Sequence, residues 1–228
     1  MTNNQGFFYI INIKNNSFNE DGEMKIYVVG SSKNKFLPLD NIREKFLIDK
    51  LHEGDNIDFL NPWYCELTGL YYLWKHVDDE IVGLEHYRRY FVNEKGNLLS
   101  EDEISDLLKD CDILCKEMVF KNNKKTLDYL KNGKKFIYRF LSFLPKTEKN
   151  YFLYQFRSAK KFAQCNMFIC RKEIINEYCN WFFNTVINFN AKEFFNNKRI
   201  IGYIAEFVFG YWLQMHKYNI KYINVKVC

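Results

Sequence analysis

The chain has 228 residues, 47% of them apolar and 27% charged, the balance of a globular enzyme with room for one sizeable domain. Its net charge of +5 is spread along the sequence, and no recognised nucleic-acid-binding motif accompanies it, so nucleic acid is set aside as a partner. Seven cysteines without a CxxC pair, and the lack of a signal peptide, argue against structural zinc and for reduced thiols in a cytoplasmic setting.

The longest apolar stretch, Gly202–Leu213, is too short to span a bilayer and carries Glu206. A soluble protein is expected, or a peripheral one at the inner face of the plasma membrane. Aromatic residues reach 18%, with 22 Phe and 16 Tyr, so part of that surface is expected against a ligand or a membrane. Lys121–Lys125 (KNNKK) and Lys131–Lys135 (KNGKK) form the dense basic patch. It suits either anionic lipid head groups or a solvated loop.

In chain order, Gly6–Ile13 and Met24–Val29 read as strands, rich in aromatic and β-branched residues. Gly30-Ser31-Ser32-Lys33-Asn34 follows as a loop where a ligand can approach the backbone, though it is neither a P-loop nor GxGxxG. Asn61 and Pro62 open the clearest helix, as cap and first helical residue. Trp63, Leu67, Leu70, Tyr71 and Trp74 give it one apolar face, and Glu66 sits awkwardly at the edge of that face.

Ile81–Leu84 is the next strand. Ser100 and Glu103 form a capping box for a helix to about Lys109, and Asp112–Cys115 is a short strand. Residues 120–160 read as loops and short helices. Asn166–Cys170 is a strand and Arg171–Phe189 a helix with Ile174, Ile175, Tyr178, Trp181 and Phe182 inward. Gly202–His216 is apolar nearly all round and therefore buried, and Tyr222–Val227 adds a final strand. Without a repeat or a Pro/Gly/Ser-rich linker, one domain is expected. The strand–helix alternation predicts an α/β fold, with a mixed, mostly parallel sheet flanked by helices.

The chemistry concentrates where the apolar run Ile81–Leu84 ends in Glu85, His86, Tyr87, Arg88, Arg89 and Tyr90. In an open α/β sheet, ligands bind beyond the carboxyl ends of the strands. Adjacent guanidinium groups suit phosphate oxygens there, and His86 adds a further candidate cation. The plainer account is a strand end whose arginines are solvated or paired with Glu66 or Glu206. Glu206 has no cation at i±3 or i±4, so its burial would raise its pKa. Glu66 and Glu206 are the candidate bases, with structural pairing to Arg88 or Arg199 the alternative.

Two motifs then carry a resemblance. Tyr64–Lys75 (YCELTGLYYLWK) and Gly83–Phe91 (GLEHYRRYF) resemble a bacterial family of capsular polysaccharide synthesis glycosyltransferases, long described as a domain of unknown function. The strand Lys25–Val29, the strand Asn166–Cys170 and the segment Arg199–Glu206 agree in order, so the resemblance spans roughly residues 24–213.

It implies a GT-A-like, Rossmann-related fold, a UDP-sugar donor (plausibly galactose in furanose or pyranose form) and an oligosaccharide or lipid-linked glycan acceptor. Through the resemblance, Tyr64, Thr68, Asn166 and Arg199 join His86, Arg88 and Arg89 as expected donor contacts. The histidine usual after the first strand is replaced by Gly30-Ser31-Ser32, and residues 116–160 are shorter and more basic than the pattern.

Enzymes of this fold often hold Mn²⁺ or Mg²⁺ through Asp-x-Asp. The one match, Asp110-Cys111-Asp112, precedes its strand instead of following it. The expectation is therefore a diphosphate held by His86, Arg88 and Arg89 without metal. The alternative is a site built from Asp110, Asp112 and Glu85. A non-catalytic nucleotide-sugar or carbohydrate-binding subunit is the rival function, and a scaffold acting through its basic loop is a third.

Overall fold

The computed structural model describes residues 23–120, 134–186 and 198–228. The strand expected at Gly6–Ile13 and the cluster Lys121–Lys125 lie outside the described residues.

An eight-stranded sheet organises the chain. Its main path runs β2 (Arg43–Leu47), β1 (Met24–Gly30), β3 (Ile81–His86), β6 (Lys161–Arg171), β5 (Ile113–Val119) and β7 (Ile220–Tyr222). β2, β1 and β3 pair in parallel, as do β5 and β7, while β6 runs antiparallel to both its neighbours. Only β6 therefore opposes the common direction of this path. β4 (Arg89–Phe91) folds back from β3, and β8 (Val225–Val227) pairs with β4. The expected last strand, Tyr222–Val227, is thus two short strands on different partners.

Strand periodicity divides the core. Along β1, Met24 and Ile26 enter one apolar cluster while Tyr27 and Val29 enter the other, because alternate side chains of a strand point to opposite faces. The larger cluster takes helices α2 (Leu67–His76), α4 (Lys134–Leu141), α5 (Lys146–Ser158), α6 (Lys172–Val186) and α7 (Ile200–Met215). On the other face packs α3 (Glu101–Leu107), opened by the expected capping box of Ser100 and Glu103. Phe140, Phe152, Phe156 and Phe182 are fully buried in the larger cluster, each worth about 1.5–3 kcal/mol of transfer free energy. Trp212 is also buried, and Trp74 stacks on Phe183, so both serve packing.

α7 lies directly on β6. A Cβ at Gly210 would stand 2.6 Å from the Ala163 carbonyl oxygen, so only glycine permits that approach.

The helix expected from Asn61 is not continuous. It breaks at Cys65, which has φ 53°, into α1 (Asn61–Tyr64) and α2. The Thr68 hydroxyl donates to the Cys65 carbonyl at 2.8 Å, holding the turn between them. Leu60, not Asn61, occupies the cap position, and Glu66 becomes the cap of α2.

Candidate active site

A cleft of about 370 Å³ opens beyond the carboxyl ends of β1, β2 and β3. One wall is Val29, Gly30, Asn34 and Ile48; the other carries Asn61, Pro62, Cys65 and Glu66. His86, Tyr87, Arg88 and Arg199 also line it. This is the edge at which open α/β sheets bind ligands.

Four backbone irregularities build the site. Cys65, Cys165, Asn166 and Arg199 all have positive φ, at 53°, 72°, 50° and 66°. Non-glycine residues enter that region at a cost of order 1 kcal/mol or more, and such residues gather at functional sites. The break at Cys65 turns Glu66 into the cleft. A bulge in β6 leaves Cys165–Met167 without partners on β5, between the pairs Cys115–Phe168 and Lys116–Gln164. That bulge sets Asn166 so that its side-chain amide donates to Glu66 Oε1 at 2.7 Å. Arg199, in left-handed conformation at the cap of α7, donates its backbone N–H to the Pro62 carbonyl and ties that helix to the wall of the cleft.

The loop bearing Arg88 is fixed from below. Arg43 donates Nε to Glu85 Oε2 at 2.9 Å and Nη1 to the Leu99 carbonyl at 3.0 Å, and Asp40 stands 2.6 Å from the same guanidinium. Glu85 also accepts the Phe91 N–H at 2.9 Å, so one buried ion pair closes the turn from β3 into β4. Burial pushes the Glu85 carboxyl up, and the charge of Arg43 opposes that.

Electrostatically the centre of the site is Glu206, about two turns into α7. Burial and then the nearby charge of Glu66 push its pKa up to about 7, against the pull of Arg89, Arg199 and Lys116. A carboxyl that titrates near neutrality beside a ligand cleft is suited to proton transfer. Burial lowers the pKa of His86, so its imidazole is neutral at pH 7 and is not the cation expected of it. The Cys65 and Cys165 thiols are pushed up to about 11, first by burial, and stay protonated.

Asn61 Oδ1, His86 Nε2 and Asn166 Oδ1 are buried without a hydrogen-bond partner among the described residues. Those three atoms sit on residues of one site and are available to a polar ligand there.

The expected site residues divide by position. Glu66, His86, Arg88 and Arg199 line the cleft; Asn166 bonds to Glu66, and the charge of Arg89 reaches Glu206 from β4. Tyr64 instead packs against the larger core, where burial pushes its hydroxyl up to about 12. Thr68 is buried, its proton committed to Cys65.

The acidic alternative does not assemble. Asp112 sits before β5, at the opposite end of the sheet, and its carboxylate accepts the Asn219 N–H. Asp110 is beside it, and Glu85 is sealed under Arg43. Among the described residues no three His, Cys, Asp or Glu are grouped to hold a metal ion. Asp110, Asp112 and Glu85 therefore do not fit a resident Mn²⁺ or Mg²⁺.

Arg43 and Lys116 were not anticipated. Lys116 follows the apolar run of β5 much as the arginines follow β3, and it donates to Gln164 Oε1 at 2.7 Å.

A family model described as a domain of unknown function, DUF4422, matches residues 8–217. The chain belongs to that family. Among solved structures, this DUF4422 chain is similar to one titled the apo structure of WbbM, a bifunctional glycosyltransferase, with a TM-score of 0.72 and 25% identity. The match covers 90% of this chain and 45% of WbbM, so the chain spans less than half of that protein. A comparison with curated proteins finds no match. The fold is thus glycosyltransferase-like. No helix among the described residues is long and apolar enough to cross a membrane.

Proposed function

We propose that the protein is a glycosyltransferase that moves a hexose, plausibly galactose, from a UDP-sugar to an oligosaccharide or lipid-linked glycan of a surface polysaccharide. The observation that carries this reading is a cleft lined by two arginines, Arg88 and Arg199, with the Glu206 carboxyl nearby pushed up to about 7 by burial and then by the charge of Glu66.

In the proposed reaction the bond between the sugar's anomeric carbon and the UDP oxygen breaks, and its electron pair leaves on the diphosphate. Arg88 and Arg199 neutralise that charge by charge-assisted hydrogen bonds, and the amino end of α7 adds the positive end of its dipole. The acceptor hydroxyl bonds to the anomeric carbon and gives its proton to the Glu206 carboxylate. Burial, and then the negative charge of Glu66, holds Glu206 at that basicity. His86, neutral, offers its unpartnered Nε2 to a substrate hydroxyl.

The test is nucleotide release from a panel of UDP- and GDP-sugars. Acceptor-dependent release that disappears in Glu206→Gln is expected. Tight binding with no release under any acceptor would instead favour the non-catalytic binding subunit.

A further inference from the structure

The charge of the chain is unevenly placed. Residues 134–158 contain four Lys and two Arg against the single acid Glu148, a balance of +5, as much as the whole chain of 228 residues carries. Glu148 turns toward the inner side of its helix, where its Oε2 accepts the Trp181 indole N–H at 3.0 Å.

This segment is α4, a short link and α5. On α4 the pattern is sharply two-sided: Phe136, Ile137, Phe140 and Leu141 are buried, while Lys134, Lys135, Tyr138 and Arg139 are exposed. At 100° per residue those four exposed positions fall within about 140° of the helix circumference. α5 repeats the arrangement with Lys146, Asn150, Tyr154 and Arg157 outward, all within about 80°, over buried Phe152 and Phe156. The inner faces meet: the Phe140 and Phe152 rings are 6.5 Å apart, and both touch Trp181. Two adjacent helices therefore each present an outward stripe of cations around one exposed tyrosine, and neither stripe contains a carboxylate.

We propose that the outer surface of α4 and α5 is a docking site for an anionic phospholipid bilayer. Lipid phosphates complement the cations, each basic residue near such a surface contributing severalfold to partitioning. The tyrosines distinguish a bilayer from a soluble polyanion. Tyr138 is 43% and Tyr154 66% exposed, and a ring with a polar tip gains most at the head-group boundary. Long lysine stems can lie along that boundary while their ammonium groups reach the phosphates. The contact is peripheral, with the helices lying on the membrane.

Co-sedimentation of the whole protein with vesicles tests this. It should pellet with phosphatidylcholine vesicles containing phosphatidylglycerol, not with phosphatidylcholine alone, and should be released by salt. The triple variant Lys134→Glu, Lys135→Glu, Arg139→Glu should lose at least roughly tenfold in partitioning. A control with the same change of net charge, Lys95→Glu, Lys221→Glu, Lys226→Glu, should stay bound. Tyr138→Ser with Tyr154→Ser should weaken vesicle binding while leaving binding of soluble polyphosphate unchanged. Circular dichroism melts establish that each variant is folded. Equal loss in the control, no preference for anionic vesicles, or tyrosine substitutions without effect would each overturn the proposal. None of these readouts depends on glycosyl transfer.

Discussion

Asn166 and Glu66, one hundred residues apart in sequence, meet across 2.7 Å, with the asparagine amide donating to the carboxylate. Asn166 is buried and left-handed at φ 50°, so its own backbone aims that amide. Asparagine and aspartate both tolerate this conformation. Asn166→Asp should therefore keep the bulge while placing a third carboxylate beside Glu66 and Glu206. The expected outcome is a rise of roughly one unit in the pKa that limits turnover on the acid side, because like charges disfavour ionisation. Asn166→Gly, which suits the backbone and removes the amide, should preserve the fold without that rise. The pH dependence of kcat/KM for both variants checks this.

Glu206 links activity to stability with opposite signs. Its carboxyl titrates at about 7 in the folded protein, above the ordinary value of 4.5 for glutamate, so the native state holds a proton that the unfolded chain has released. Stability from this group is present below the unfolded pKa and declines as pH rises through about 7. Activity needs the deprotonated form and rises through the same window. Glu206→Gln should abolish turnover and yet stabilise the protein at pH 8, by up to about 3 kcal/mol. Denaturant melts at pH 5 and pH 8 decide it, the gain being expected only at the higher pH.

Arg88 and Arg89 are adjacent but should behave differently. Arg88 lines the cleft with Arg199, whereas Arg89 lies in β4 and acts on Glu206. Arg88→Ala and Arg199→Ala should each weaken UDP binding by about 1.5–3 kcal/mol, roughly tenfold to a hundredfold. Arg89→Ala should leave UDP binding closer to normal and instead raise the pKa of Glu206. Arg43→Ala is the structural contrast: it strands the buried Glu85 carboxylate and should cost about 3–5 kcal/mol of stability. Calorimetry with UDP and denaturant melts on the same variants separate these effects.

Much of this was legible from local pattern. Aromatic and β-branched runs located β1 and β3, and the polar cluster after Leu84 pointed to the edge of the sheet at which the cleft opens. The absence of a cation at i±3 or i±4 of Glu206 marked it as unusual, and the nearby cations are Arg89 on β4, Lys116 on β5 and Arg199, seven positions back at the cap of α7. What stayed hidden is long-range or backbone-borne. Apolar spacing runs unbroken from Trp63 to Trp74, so nothing local announces the break at Cys65. Nor does local sequence pair Arg43 with Glu85, forty-two positions away. The bulge at Cys165–Met167 straddles the start of the strand expected at Asn166–Cys170, and nothing local announces it. His86 was misjudged because burial, a tertiary property, decides its charge.

Metal dependence provides the last test. The literal Asp-x-Asp, Asp110-Cys111-Asp112, lies at the end of the sheet opposite the cleft, and Asn219 occupies it by donating twice: its backbone N–H goes to the Asp112 carboxylate at 2.7 Å and its side-chain amide to the Asp110 carbonyl at 2.8 Å. Its role there is to hold the entry into β7 against the start of β5. Asp112→Asn should consequently lower stability modestly, by about 1 kcal/mol for a weakened hydrogen bond, and leave kcat/KM nearly unchanged. Asp110→Asn should do less, because the contact uses the backbone carbonyl. If Arg88 and Arg199 carry the diphosphate charge, turnover should survive EDTA at a substantial fraction of its untreated rate. Near-complete loss with chelator, restored by Mn²⁺, would show that a divalent ion shares that charge and would place its ligands among Glu66, Glu206 and the substrate phosphates.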